Sequence, residues 1–429
     1  MKSSLIPRRT FIAHLTSVAA LAGVAITLST PALAAGNGAA RPTHPHCNVN
    51  AVVHWNTIAA EAFTPSQGTN PMAQSRTFSI LHAAIHDALN AIERRYESHT
   101  PGLVPAPKAS ADAAVAAAAH EVLANLVPDQ AALVQAAYAR SLGAVRNGPA
   151  KTAGIATGQA AARATMKRRQ GDGSETAAQP IYTPRSGRGE YQFTTPFDFA
   201  VQPGWGRVQP FVIDLPEHAL EGPLPLTSAQ YAGDLAYIKR IGHIASEMRT
   251  SDQTEIAKFW YEDSPLGWNR IASTVVRERG LDAWEAARAF ALVHFAMADG
   301  FIAGFDAKYH YRFWGPLTAM QETGTPADRN WQPLLTTPPV PDYPSTHTVL
   351  GWAAAEVLID LFGDKLRYST TSLTLPGVTR HYRGFSQAAQ ENGMSRLYAG
   401  IHFRHAVMDG RRQGRGIGRT VALALQPVH

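Results

Sequence analysis

The sequence predicts an all-α fold, a helical bundle joined by long irregular connections. Apolar residues recur at helical spacing over most of the chain, and alternating strand patterns are scarce. Ala-rich stretches around residues 110–165 suit close helix packing and carry no chemistry of their own. With 45% hydrophobic and 17% charged residues among 429, the chain has the material for a sizeable core and is not a disordered one.

Residues 1–34 read as an export signal. They carry Lys2, Arg8 and Arg9 without an acidic residue, an apolar stretch from Leu15 to Leu28, and the small-residue end Ala32-Leu33-Ala34. Arg8-Arg9-Thr10-Phe11-Ile12 resembles a twin-arginine signal, the address of proteins exported already folded, so the expected destination is periplasmic or secreted. Without those three cations the 39 Lys+Arg fall to 36 against 33 Asp+Glu, and the net charge drops from +6 to +3. A nucleic-acid-binding module loses its support, since no basic stripe or recognised motif remains. Downstream of the signal no further apolar run is expected to cross a bilayer.

Residues 35–74 form an N-terminal arm. Its Pro-rich His44-Pro45-His46-Cys47 holds the sole cysteine, which has no internal disulfide partner. Residues 75–226 form an N-terminal helical half, with helices expected over Ser75–Arg95, Ser110–Leu126, Asp129–Val145 and Ala150–Arg169. A long irregular connection, Gln170–Leu226, follows; Pro196-Phe197 and Gln202-Pro203-Gly204-Trp205-Gly206 mark it as a loop packed on helices. Residues 227–429 form a C-terminal helical half, with helices expected over Ser228–Glu247, Ser251–Tyr261, Ala283–Tyr309, Ser345–Phe362 and Glu391–Leu425, the last broken near Gly400. A second irregular connection spans Glu322–Tyr343.

Three segments of the C-terminal half supply groups suited to a tetrahedral oxyanion: Lys308 to Pro316, Pro341-Asp342-Tyr343-Pro344-Ser345-Thr346-His347-Thr348, and Ser395-Arg396 to His402. Pro344 stands near a helix N-terminus, where free N–H groups and the helix dipole favour negative charge, so Ser345, Thr346 and His347 offer donors there. His347 adds proton chemistry. His402 and Asp409, seven apart, share a helix face, as do His405 and Asp409, four apart; a carboxylate behind a ligating histidine would fix its tautomer.

These segments resemble the signature of the vanadium-dependent haloperoxidase and type 2 phosphatidic acid phosphatase superfamily: Lys-x6-Arg-Pro, then Pro-Ser-Gly-His, then Ser-Arg-x5-His-x3-Asp. Ser75-Arg76, His82 to Asn90, Trp205-Gly206, Arg249-Thr250 and Ala298-Asp299 to Tyr309 extend the similarity to bacterial haloperoxidase-like proteins over most of the chain. The resemblance implies a vanadate ion tied to the protein by His402, with Lys308, Ser345, Arg396 and the backbone at Thr346 around its oxygens, and His347 as acid–base residue. In the haloperoxidase reaction it implies, hydrogen peroxide taken up at vanadate is polarised by Lys308 and attacked by halide. In the phosphatase reaction phosphate, the competing anion, occupies the pocket, His402 attacks phosphorus of a small phosphate ester, and His347 protonates the leaving group. A weakened anion-binding homologue is the further alternative.

Departures from the pattern are specific. Gly315 stands where the first arginine is expected, and Arg312, Arg380 or Arg383 are the candidates to compensate. Thr346 replaces the glycine of Pro-Ser-Gly-His, harmless if its φ is negative. Ala406 stands where the carboxylate is expected, which leaves Asp409, and His405 is the alternative ligand to His402. Val340 occupies a position that haloperoxidases use in halide choice. His82, His86 and Asp87 form the rival site, a histidine pair at helical spacing without a Glu-x-x-His partner, better read as packing or pocket lining. Tyr309, Tyr311, Phe313 and Trp314 are expected in pocket wall and core.

Overall fold

A computed structural model describes residues 50–66, 70–325 and 328–428. The export signal and the His44–Cys47 motif lie outside the described residues. The described residues form helices joined by irregular connections, with one hairpin, in agreement with the all-α expectation. Helices α1 (Ala51–Ser66), α2 (Pro71–Ile92), α3 (Ala111–Leu126), α4 (Ala131–Ala144) and α5 (Pro149–Arg168) come first. After the long connection come α6 (Ala229–Ile241), α7 (Ser251–Phe259), α8 (Ser264–Glu278), α9 (Ala283–Tyr311), α10 (Pro316–Thr323), α11 (Thr346–Phe362), α12 (Phe385–Tyr398) and α13 (Arg404–Ala422). Strands β1 (Tyr368–Thr371) and β2 (Thr379–Tyr382) pair antiparallel with Tyr368 opposite Tyr382.

Helix α9 is the axis. Asp282 and Glu285 close a capping box at its start, satisfying two otherwise free N–H groups. Its sides pack against α2, α11 and α13, so it is apolar nearly all round. By length and composition α9 is long and apolar enough to cross a membrane, contrary to the expectation that no such run follows the signal; 94% of that stretch is buried inside the bundle.

The arm contains more structure than expected. α1 buries Val52, Trp55, Ile58 and Phe63 in the same hydrophobic cluster as α2 and α9. α3 and α5 meet closely because Gly154 and Gly158 have no side chains; a Cβ at Gly158 would lie 2.2 Å from the Ala114 carbonyl oxygen. The Gln170–Leu226 connection is irregular, as expected, and is pinned where Asp299 of α9 accepts hydrogen bonds from the N–H groups of Phe211, Val212 and Ile213. Helix α6 stops at Ile241 rather than Glu247 because Arg249 donates to the carbonyls of Ile241, His243 and Ile244, holding that segment as a turn.

Candidate anion site

Five of the expected site residues come together on the wall of one cavity of about 570 Å³: Lys308, Thr346, His347, Arg396 and His402. Lys308 arrives in the last turn of α9, Thr346 and His347 open α11, and Arg396 sits in the last turn of α12. His402 lies in the tight turn between α12 and α13. That turn requires Gly400, whose φ is +80° and whose Cβ would sit 2.4 Å from the Gly242 carbonyl oxygen. The break expected near Gly400 is therefore real, and it brings Arg396 and His402 to one wall although they are out of phase on a single helix.

His402 is oriented by Asp342. Its Nδ1 lies 2.8 Å from Asp342 Oδ1, which also accepts the Phe403 N–H at 3.4 Å. An oxygen already accepting a backbone N–H makes Nδ1 the donor, which leaves the lone pair on Nε2. This corrects the expectation for Asp409: that carboxylate accepts from the Tyr343 hydroxyl at 2.6 Å and pairs with Arg412 at 3.3 Å. The reason is topological. The carboxylate serving His402 comes from the loop before α11, 60 residues away, and not from the histidine's own helix face.

His347 donates from Nε2 to the Glu262 carbonyl at 3.2 Å, which leaves its lone pair on Nδ1. Burial first, then the Arg396 and Lys308 charges, hold the His347 pKa well below the ordinary value. Burial and the same two cations do the same for His402, so both imidazoles are neutral at neutral pH. Lys308 is 1% exposed and donates to the carbonyls of Pro341 at 2.6 Å and Asp342 at 3.2 Å. Burial brings its pKa down to about 7, against the opposing pull of Asp342. Burial lowers Arg396 to about 10, so it remains a cation, while burial pushes the Asp342 carboxyl well above the usual range.

The groups left unpaired define the ligand. Arg396 Nε and Thr346 Oγ1 are buried without a hydrogen-bond partner. The N–H groups of Thr346 and His347 are among the free donors of the α11 N-terminus, and Lys308 has used two of its three protons. Two cations, a hydroxyl and helix N–H groups repel a metal cation and fit a tetrahedral oxyanion such as vanadate or phosphate, and the lone pairs of His402 Nε2 and His347 Nδ1 are free to bond its central atom or to take a proton. Buried donors left unpaired each cost about 1–3 kcal/mol, a cost that such an anion removes.

The remaining expected residues divide. Ser345 is fully buried as the N-cap of α11; its hydroxyl accepts from Thr348 at 3.0 Å and is not part of the cavity wall. Thr346 has no positive φ, so the glycine position tolerates it. Gly315 has open space where a Cβ would point. None of the three candidate replacements reaches the cavity. Arg380 is held by Glu391, Asp252 and Glu255, Arg312 faces Glu190, and Arg383 lines a separate surface hollow. His405 pairs with Asp234 at 2.9 Å and stacks on Phe403, outside the cavity. His82 bonds Asn56, His86 bonds Asn90 and the Glu97 carbonyl, and Asp87 takes the N–H groups of His99 and Thr100. Among the described residues no group of three or more His, Cys, Asp or Glu is arranged for a metal ion. Of the expected wall aromatics, Trp314 and Phe313 are buried core and Tyr309 bonds the Val201 carbonyl; Val340 does line the cavity. Asp342 was visible in the Pro341–Thr348 segment but had no spacing relation to His402 that marks it.

The family model of the VCPO second helical-bundle domain matches residues 288–428, which contain all five cavity residues and Asp342. The vanadium chloroperoxidase of Curvularia inaequalis is 24% identical, over 83% of this chain and 79% of its own length. A bacterial vanadium-dependent iodoperoxidase superposes with a TM-score of 0.79 at 26% identity, covering 90% of this chain and 99% of that one. A holo-type bacterial vanadium-dependent chloroperoxidase shares the fold, with a TM-score of 0.69 at 16% identity over 86% and 94% of the two chains. Sequence, helical-bundle architecture and domain match agree in the likeness they give: this chain is similar to vanadium-dependent haloperoxidases.

Proposed function

We propose that the protein is an exported vanadate-dependent haloperoxidase, oxidising halide with hydrogen peroxide at a vanadate held by His402. The observation that carries this reading is the set of buried, unpartnered donors at Arg396 and Thr346 beside an imidazole whose free lone pair is fixed by Asp342. Bound there, vanadate supplies an electrophilic centre that activates peroxide toward two-electron oxidation of halide. The chain's own part is electrostatic and acid–base. Arg396 and protonated Lys308 balance the anion's charge, and the N–H groups of Thr346 and His347 orient its oxygens. Neutral His347 takes a proton from incoming peroxide at Nδ1, its Nε2–H remaining on the Glu262 carbonyl. The Arg8-Arg9 signal supports export of the protein in folded form.

One preparation with and without orthovanadate, assayed for bromination with peroxide and for phosphate-ester hydrolysis, tests the reading. The expected result is vanadate-stimulated bromination that His402→Ala abolishes. Hydrolysis inhibited by vanadate, without bromination, would replace it with the phosphatase reading.

A further inference from the structure

Helix α9 carries a second polar hollow on the face turned away from the anion site. At about 100° per residue Phe301, Phe305 and Lys308 share the side that lines the cavity, while Ala303, Asp306 and His310 share the opposite one. There they line a hollow of about 130 Å³ together with Gln413 of α13 and His218 of the long connection. Against the roughly 570 Å³ of the anion cavity this is a small space, suited to an ion with a few waters or to a short chain. Gln413 fixes what the hollow accepts. It is 4% exposed, and its Nε2 donates to the carbonyls of His218 at 3.0 Å and Ala303 at 3.5 Å. With both amide protons on carbonyls the amide has one orientation, which makes Oε1 an acceptor. That oxygen is buried and has no hydrogen-bond partner, so the position calls for a donor.

The charge of the surroundings decides the kind of donor. Asp306 stands at the exposed rim, and among the described residues its carboxylate makes neither a hydrogen bond nor an ion pair, with His310 included. Asp214 and Glu217, whose charges act on His218, are likewise without ion pairs among the described residues. Burial holds the His218 pKa below its ordinary value against those two carboxylates, so this imidazole adds no positive charge at neutral pH. No described lysine or arginine lines the hollow. Its long axis also reaches the last turn of α9, where the helix dipole favours a cation. An amide oxygen and one carboxylate suit a cation that donates N–H, and no described group of three or more His, Cys, Asp or Glu is arranged for a metal.

We propose that this hollow binds a small ammonium group, free or at the end of a short alkyl chain, which donates one N–H to Gln413 Oε1 and has its charge balanced by Asp306. The site lies on the far side of α9 from the anion cavity and does not depend on the haloperoxidase reading.

Calorimetric titration of the full chain with ammonium chloride at neutral pH, in a background of tetramethylammonium chloride, tests the proposal. Potassium chloride is the control, since potassium is close to ammonium in size and offers no N–H. Wild type is expected to bind ammonium about tenfold or more tighter than potassium, the ratio that one hydrogen bond to a charged group gives. Propylammonium distinguishes the two sources: tighter binding than ammonium assigns the hollow to an alkylamine, and weaker binding assigns it to the free ion. Asp306→Asn and Gln413→Leu should each weaken ammonium about tenfold or more. Asp306 is on the exposed rim, so Asp306→Asn should keep the wild-type melting temperature in the absence of ammonium and decides the question even where Gln413→Leu fails to fold. No ammonium binding at decimolar concentration, which would leave the hollow to water, would overturn the proposal. Equal affinity for potassium, or undiminished ammonium affinity in Asp306→Asn, would do the same.

Discussion

The sharpest quantitative consequence of the site is its dependence on Lys308. Its pKa of about 7 places its charge change within the neutral range, while His347 and His402 stay neutral throughout and Arg396 stays cationic up to about 10. The protonated lysine is the form that attracts an anion, so affinity is fully present below about pH 7 and is lost as pH rises through it. Sulfate is the suitable probe, because it is tetrahedral and remains a dianion over that range. Two pH units above the lysine's pKa only about 1% of the sites carry the charge, so affinity falls about 100-fold, or about 2.7 kcal/mol at ~1.36 kcal/mol per unit. Asp342 faces Lys308 and accepts from His402; burial raises its carboxyl pKa, and any negative charge it carries weakens binding in the same direction. Calorimetry in buffers of different ionisation enthalpy counts the protons taken up with sulfate: about one above pH 7, falling toward zero below it. Lys308→Met should bind weakly with no proton uptake from the lysine. Equal affinity at about pH 6 and about pH 9, without proton uptake, would refute the placement of Lys308 in the anion site.

Other consequences are independent of that titration. Asp342→Asn should weaken vanadate binding about 10–100-fold by loosening His402, whereas Asp409→Asn should change it less than about twofold; a vanadate titration reporting the reverse order would restore the same-helix carboxylate. Gly315→Arg meets open space at its Cβ and an ordinary φ of −94°, so it should fold, tighten sulfate binding about tenfold, and lower the melting temperature in the absence of anion. Gly158→Ala drives a methyl into the Ala114 carbonyl and should cost about 1–3 kcal/mol in urea unfolding, while Gly143→Ala, with nothing nearby, should not destabilise.

How much of this was legible in the sequence depended on where the physical signal lay. Helices α2 to α5, α9 and α11 announce themselves through apolar spacing and capping residues such as Ser110 and Asp282, and their expected limits fall within a few residues of the observed ones. Helix α8 is hidden because Ser264-Pro265-Leu266-Gly267 reads as a loop, although proline in the first turn is compatible with a helix start and an amphipathic run follows it. Helix α10 has eight residues and the strands four each, too short for any period to show. The groups of the anion site were legible because they sit in three short motifs, whereas the arrangement was not. Asp342 and His402 meet only because α9, α11 and α12 bring their ends together, and no spacing along the chain encodes that meeting. The replacement of Gly315 by Arg312, Arg380 or Arg383 looked plausible in sequence for the converse reason: proximity along the chain hid the carboxylates that hold two of them elsewhere.

The charge balance of the cavity follows from these placements. With no arginine at position 315, the cations on the wall are Lys308 and Arg396, and the carboxyl that feels the Lys308 charge, Asp342, is buried where ionisation is penalised. A neutral Asp342 leaves two positive charges for the anion, and an ionised one cancels the lysine. Attraction for the ligand is therefore set by one buried lysine–aspartate pair, and the rest of the holding falls to neutral donors: the Thr346 hydroxyl, the first N–H groups of α11, and the imidazole lone pair that Asp342 orients. The same carboxylate thus helps the ligand bond through His402 and opposes the ligand's charge through Lys308. Burial, which raises this carboxyl's pKa, favours both roles together, because a protonated Asp342 still accepts the His402 N–H at Oδ1 while leaving the lysine's charge to the anion.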